Sequence, residues 1–374
     1  MVTKTALTPH LITDYAQLLA IWEKPSAVHG NAQSFEWIDS WRRHVNADSF
    51  VAGLFDGDVA VLLLPLEAVR VNGVRILRYP GGSHANCNFP WLDGLVDKAA
   101  LDALVLAIRK ARPDSDVLSL TRQLPSLCGW KNPLLQLASS ENSNPVLAAS
   151  LDQGFDEVLE RSNAKRKLKK HRQHGRRYEE AGGWRIFRPK SCEETDRTLD
   201  LFFELKAHRF QQMGISDPFA PAEIQAFFKD YYGNAIEAQN AGCELQVLEV
   251  SGKVRSLIGK TFSKDGPTVE FSAIADDELM TASPGEFLFY EDMKRSCETD
   301  VPVYSFGIGD EPYKREWCDI ESHIYDTIIP LSVKGRAFTV LQSALSKIVA
   351  KVKGNPRLWQ LAKALRARLK RFSI

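Results

Sequence analysis

No stretch of the 374 residues is apolar for the roughly 20 positions that a membrane-crossing helix needs. The best run, Val59–Leu64, stops at Pro65. Residues 1–10 hold no apolar core of a secretory leader, so a cytoplasmic location is the expectation. Cysteine is sparse and scattered: six residues, no C-x-x-C, and a single H-x-x-C formed by His84 and Cys87. Neither a disulfide scaffold nor a zinc site is expected from that spacing, and no metal is assigned. Acids are missing altogether from Leu331 to Ile374, which carry 11 Lys or Arg and leave residues 1–330 with 37 bases against 47 acids. The body is acidic and the tail basic.

A chain this long exceeds what one hydrophobic core usually supports, so two domains are the default, with a cut near 150 where residues 139–150 are polar and rich in turn formers. Alternating apolar runs predict strands at Ser49–Phe55, Val59–Leu66, Val69–Val71 and Val74–Tyr79, joined by Asp56-Gly57-Asp58 and Asn72-Gly73. Helical periodicity marks Leu11–Trp22, Phe35–Val45 and Val96–Lys110, with a strand at Val117–Leu120. After the cut comes a basic helix over Asp156–Gly182, then strand Trp184–Arg188 and helices Cys192–Met213 and Ala222–Gln239. Strands follow at Glu244–Val250, Val254–Phe262 and Thr268–Ala275, then helix Pro284–Cys297 and strand Pro302–Phe306. The same order of elements in both halves suggests a duplicated architecture.

Two clusters carry candidate chemistry. Ser283-Pro284-Gly285-Glu286-Phe287 reads as a capped helix start, with Pro284 at the first helical position and Glu286 completing an S-x-x-E box. The same free N–H groups suit a pyrophosphate. The second cluster is Phe306-Gly307-Ile308-Gly309-Asp310-Glu311-Pro312-Tyr313-Lys314, where two glycines at a strand end place carboxylates, a phenol and an ammonium in one loop. An internally salt-bridged loop is the alternative there.

Two further stretches are ambiguous. In Glu204–Phe210, Leu201, Leu205 and His208 fall on one stripe and Glu204 can pair with His208, or Lys206 and Arg209 face a cleft and hold an acceptor's phosphate or carboxylate. Arg161–Arg177 holds nine Lys or Arg and no acid. It reads as a docking face for the acidic lobes or a phosphate contact, and without interleaved aromatics it does not predict a nucleic-acid partner.

Ser283-Pro284-Gly285, followed one helix and one strand later by Gly309-Asp310-Glu311-Pro312-Tyr313-Lys314 and Trp317, resembles the GNAT-fold acyltransferases of the cellulose-biosynthesis CelD-like family. The resemblance covers most of residues 10–330. It implies an α/β (α+β) chain of two tandem GNAT-like lobes, residues 1–150 and 151–330, each a mixed, largely antiparallel sheet flanked by helices, plus a basic helical tail over 331–374. It also implies that acetyl-CoA or another acyl-CoA is the co-substrate. Phe271 and Ala273 then line the pantetheine, while Ser283, Gly285, Glu286 and Phe287 hold the pyrophosphate. Asp310, Glu311 or Glu270 acts as base, Tyr313 as acid, and Lys314, Lys206 and Arg209 anchor the acceptor.

The implied activity is transfer of an acyl group to an amine or hydroxyl on a small-molecule or glycan acceptor, such as a polysaccharide precursor. Fem-type aminoacyl transfer from charged tRNA and a non-catalytic role beside a membrane glycan synthase are the alternatives. In the tail, Leu358, Trp359, Leu361, Leu365 and Leu369 form an apolar stripe beside Lys363, Arg366, Arg368 and Lys370. That is the pattern of peripheral contact with the inner face of a membrane, or of a helix packed on the acidic body.

Overall fold

In the computed structural model, residues 6–238, 242–299 and 301–354 are described. They build two sheets with the same plan. The first runs, in spatial order, Thr8–Ile12, Ser49–Asp56, Val59–Val71, Val74–Arg78, Val117–Gln123, Tyr325–Pro330 and Ser139–Glu141, with Trp91–Leu92 added beside Val59–Val71. The second runs Trp184–Phe187, Cys243–Val250, Lys253–Ser263, Gly266–Ile274, Val303–Ile308, Val146–Ser150 and Ile320–Ser322. In each sheet four antiparallel strands are followed by one parallel step, and a helix, Lys98–Ala111 or Pro284–Ser296, makes that crossover. This is the two-lobed α/β architecture expected from the sequence.

The lobes exchange strands. Val146–Ser150, on the first side of the cut at 150, lies in the second sheet against Val303–Ile308. Tyr325–Pro330, assigned by sequence order to the second half, pairs with Val117–Gln123 in the first. Pairing partners so distant in sequence leave no local signal, which is why composition suggested a simpler division. The seam between the lobes is also a core: Trp37, Trp41 and Trp91 of the first lobe share one buried cluster with Phe202, Phe227, Phe228 and Phe271 of the second.

Local signals account for the elements that were read correctly. Helix Cys192–Met213 begins after Ser191, whose hydroxyl accepts the Glu194 N–H at 3.2 Å, and ends at Gly214 with φ of 62°. Two readings need correction. The span Leu11–Trp22 is a strand, Thr8–Ile12, then a 3-10 turn and a one-turn helix, Leu19–Trp22, because Thr8–Ile12 pairs along Val51–Phe55. The basic segment is two helices, Gly154–Glu160 and Ala164–Glu180, broken where Asn163 adopts φ of 69° and caps the second with its side chain. Among the described residues no helix is long and apolar enough to cross a membrane. The stripe from Leu358 to Leu369 lies outside the described residues; helix Val333–Gly354 precedes it and packs on the first sheet.

Candidate functional site

Glu270 owes its position to a β-bulge. Gly259 pairs with Phe271 and Lys260 with Val269, so Glu270 is the extra residue and points to the same face as Phe271 instead of the opposite one. That face is the seam. Thr261 Oγ1 donates to Glu270 Oε1 at 2.6 Å and itself accepts from Asn31 Nδ2 at 2.8 Å. Asn86 Nδ2 donates to Glu270 Oε2 at 3.0 Å. Loss of water in this enclosure raises the carboxyl above the ordinary glutamate range, and the hydrogen bonds from Thr261 and Asn86 oppose that shift only in part. A carboxylate raised in this way is a stronger base than an ordinary glutamate.

Beside it the second sheet opens. Strands Gly266–Ile274 and Val303–Ile308 pair at one position, Thr268 with Ser305. The corresponding parallel step in the first sheet stays closed over three, Ile76–Arg78 against Val117–Ser119. Asn86 spans the opening: Nδ2 donates to Val269 O at 2.9 Å, and Oδ1 accepts the Ile308 N–H at 3.1 Å. At the far end of the opening stands helix Pro284–Ser296. Its first N–H groups, those of Gly285 and Glu286, have no acceptor within the helix. Arg177 donates to Thr281 Oγ1 at 2.9 Å and Lys170 pairs with Glu286, so two cations border this helix start.

The family model for the acetyltransferase (GNAT) domain matches residues 165–315. The fold is that of the GNAT acyltransferases. FemX superposes with a TM-score of 0.58 at 13% identity, covering 86% of this chain and 97% of that one. A conserved protein of unknown function from Bacteroides thetaiotaomicron VPI-5482 gives 0.53 at 13% identity, covering 84% and 97%. No curated protein matches the chain.

Within the GNAT lobe the residues singled out from the sequence separate into groups. Glu270, Phe271 and Ala273 share the opening strand, but the side chains of Phe271 and Ala273 are core: the Phe271 ring lies 4.3 Å from that of Phe202, above Gly259. What that strand offers to the gap is its backbone edge. Ser283 and Glu286 do not form the expected capping box. Ser283 sits at φ of 48° with no side-chain cap, and Glu286 is turned outward to Lys170. Gly285 is buried against Ile274, where an added Cβ would lie 2.6 Å from the end of that side chain and would have to push it aside. Phe287 is covered by the stacked His171 ring at 4.4 Å.

The Gly307–Lys314 loop is largely bonded within itself. Gly307 and Gly309 take φ of 70° and 121°, as two glycines at a strand end allow. Lys314 is buried, donating to Ile308 O at 2.8 Å and pairing with Glu311 at 2.9 Å, so its ammonium closes the loop and is not presented to a ligand. Asp310 is exposed and held below the usual carboxylate range by hydrogen bonding to Arg315, which makes it a weak base. Tyr313 stacks beside Phe289 at 5.9 Å, and burial pushes its phenol up to about 12, so it keeps its proton at neutral pH.

Lys206 is half-buried among Phe202, Phe210 and Phe219, with burial lowering its ammonium, whereas Arg209, Glu204 and His208 are exposed. The buried stripe of that helix is Thr195, Thr198, Leu199, Phe202 and Phe203, a different face from the stripe of Leu201, Leu205 and His208 inferred from periodicity.

The basic helix docks on the GNAT lobe through Lys167, which stands 3.4 Å over Trp317, and through Lys170, Arg177 and Tyr178. Its opposite side is a stripe of exposed bases at Lys165, Lys169, Arg172 and Arg176. Asn86, Asn31 and Thr261 were not singled out, since an isolated Asn or Thr in a polar loop or strand carries no spacing signal. The ring of His84 is packed 5.0 Å from Phe219, and the described residues hold no group of three or more His, Cys, Asp or Glu placed for a metal.

Proposed function

We propose that this chain transfers an acyl group from acyl-CoA to an amine or hydroxyl, with Glu270 as general base. The observation that carries this reading is the bulged Glu270 carboxylate at the edge of the opened strand pair Gly266–Ile274 and Val303–Ile308. The residues at the helix start are compatible with a phosphate-bearing donor: the N–H groups of Gly285 and Glu286 have no acceptor within the helix, Arg177 is bonded to Thr281 just before it, and Lys170 offsets the charge of Glu286. Bound there, acyl-CoA supplies an activated acyl carbonyl. Glu270 accepts the proton of the attacking nitrogen or oxygen as the new bond forms, and its two hydrogen-bonded oxygens fix the direction from which that proton arrives. Tyr313, protonated at neutral pH and packed on Phe306 of the opposite strand, is the available acid for the departing thiolate. A sugar or polysaccharide precursor as acceptor follows from the CelD-like resemblance, and the basic tail is proposed to hold the enzyme at an anionic membrane surface.

Calorimetry with acetyl-CoA tests the donor. We expect saturable binding that Arg177→Glu weakens by about tenfold or more, as loss and reversal of one phosphate-directed charge implies. Absence of binding to the unaltered protein would overturn the reading. Arg177 is a better choice than Gly285, whose replacement would displace Ile274.

The exposed stripe favours a second reading, aminoacyl transfer from charged tRNA. Lys165, Lys169, Arg172 and Arg176 recur at helical spacing and, among the described residues, none is in an ion pair. If tRNA is the donor, a low-salt gel shift shows a complex that charge reversal at these four positions abolishes and added salt dissolves. No shift at low salt would remove this reading.

A further inference from the structure

The site of the second lobe is finished by a residue of the first. The loop between Arg78 and Trp91 crosses the seam and is anchored there by His84, which packs on Phe219 at 5.0 Å and Phe228 at 5.6 Å. Two residues on, the Asn86 amide makes three close contacts with the opened strand pair, to Val269 O, Glu270 Oε2 and Ile308 N, and a longer one of 3.5 Å to Glu270 O. Each donor and acceptor of that side chain meets a partner of the right kind: two N–H bonds to two oxygens, one carbonyl oxygen to one N–H. The fit is tight, since a Cβ on Gly307 would come within 2.7 Å of the same amide.

The geometry points to Asn86 as a positioning residue for acyl transfer: it aims the Glu270 carboxylate and holds the strand gap at a fixed width, so that the catalytic site exists only with the two lobes docked. This rests on the proposed role of Glu270 as base and assigns to the first lobe a part in the chemistry of the second. An aspartate at 86 keeps the acceptor for Ile308 N–H but replaces the donor to Glu270 with a second carboxylate. Alanine removes both.

The readout is the titration of Glu270 itself. The other ionisable groups bordering the carboxylate are Cys87 on the same loop and Tyr231 and Tyr232 on helix Ala222–Glu237, and burial raises all three, Cys87 to about 12. No lysine or arginine contributes to its environment. His84, which anchors the same loop, is lowered to about 4 by burial and by Arg122 and Arg78, so the titration of Glu270 is followed through a label on glutamate alone. We label the full chain with glutamate enriched in carbon-13 at the side-chain carboxyl and assign the Glu270 resonance by its loss in Glu270→Gln.

Removing a hydrogen bond to the charged form raises the midpoint, by about one pH unit in Asn86→Ala, and an adjacent like charge raises it further in Asn86→Asp. The acid limb of the transfer rate moves up in parallel. An unmoved midpoint in folded Asn86→Ala, or in Asn86→Asp where alanine prevents folding, overturns the proposal while leaving the base reading intact. Transfer by Glu270→Gln at the wild-type rate overturns the base reading instead, and the catalytic role of Asn86 with it.

Discussion

Glu270→Gln is expected to lower the rate constant for acyl transfer by roughly 10²–10⁴-fold, the usual contribution of a positioned general base, with acetyl-CoA affinity held within about a factor of two. The substitution keeps the volume of the side chain and one carbonyl oxygen for Thr261 while removing the group that takes the proton. Because desolvation raises the carboxyl, the unaltered enzyme gains activity as pH rises through a value above the ordinary glutamate range, and that limb disappears in the variant. The stability consequence has the opposite sign. A carboxyl whose folded value is raised favours the fold most when protonated, below its unfolded value, and that contribution is lost as pH rises through the folded value. Glutamine, neutral throughout, removes this dependence. A pH series of melting temperatures on both proteins checks the sign independently of any acceptor.

Asp292→Ala is expected to destabilise the fold by about 3–5 kcal/mol, the cost of removing the closer and fully buried partner of Lys260 and leaving its ammonium only Glu244. Lys260, Asp292 and Tyr304 are all fully buried. Asp292 accepts from Lys260 at 2.6 Å through one oxygen and from Tyr304 at 2.6 Å through the other. Glu244, 3.1 Å from Lys260, and Arg295, 2.7 Å from Glu244, complete the network. It lies on the face of strand Lys253–Ser263 opposite to Thr261 and fastens helix Pro284–Ser296 to the sheet.

Replacing both ions with apolar groups, Lys260→Met with Asp292→Leu, is expected to restore most of the loss, because the expense lies in the unpaired charge rather than in the pair. Urea denaturation of the two single variants and the double variant measures this coupling. Additive losses would mean the residues act separately.

Much of the fold was legible because its signals are local. Ser191 and Gly214 bound a helix within one turn of chain, and Asn72-Gly73 marks a hairpin by itself. The placement of the candidate site was less so. Glu270 could be named as a base from the resemblance to GNAT-fold enzymes, but the face it occupies depends on a bulge created where its strand pairs with Gly259 and Lys260, and strict alternation would turn it to the wrong side. Gly307–Lys314 stood out through its mixture of charges, and the same charges turn out to bond one another: Lys314 to Glu311, Asp310 to Arg315. Asn86 left no mark because its importance comes from an encounter with Val269 and Ile308, some 180 to 220 positions away, that only the assembled seam brings about.

The exchange of strands also bears on how the molecule is made. As the chain leaves the ribosome, the first sheet has its leading strands within the first 123 residues but must wait for Tyr325–Pro330 to fill the place between Val117–Gln123 and Ser139–Glu141. Synthesis at about 5–20 residues per second makes that wait tens of seconds. During it, the edge of Val117–Gln123 is open to any strand that meets it. Neither half is a product that can be released early: the nascent first lobe is a platform kept incomplete until the second has been built upon it.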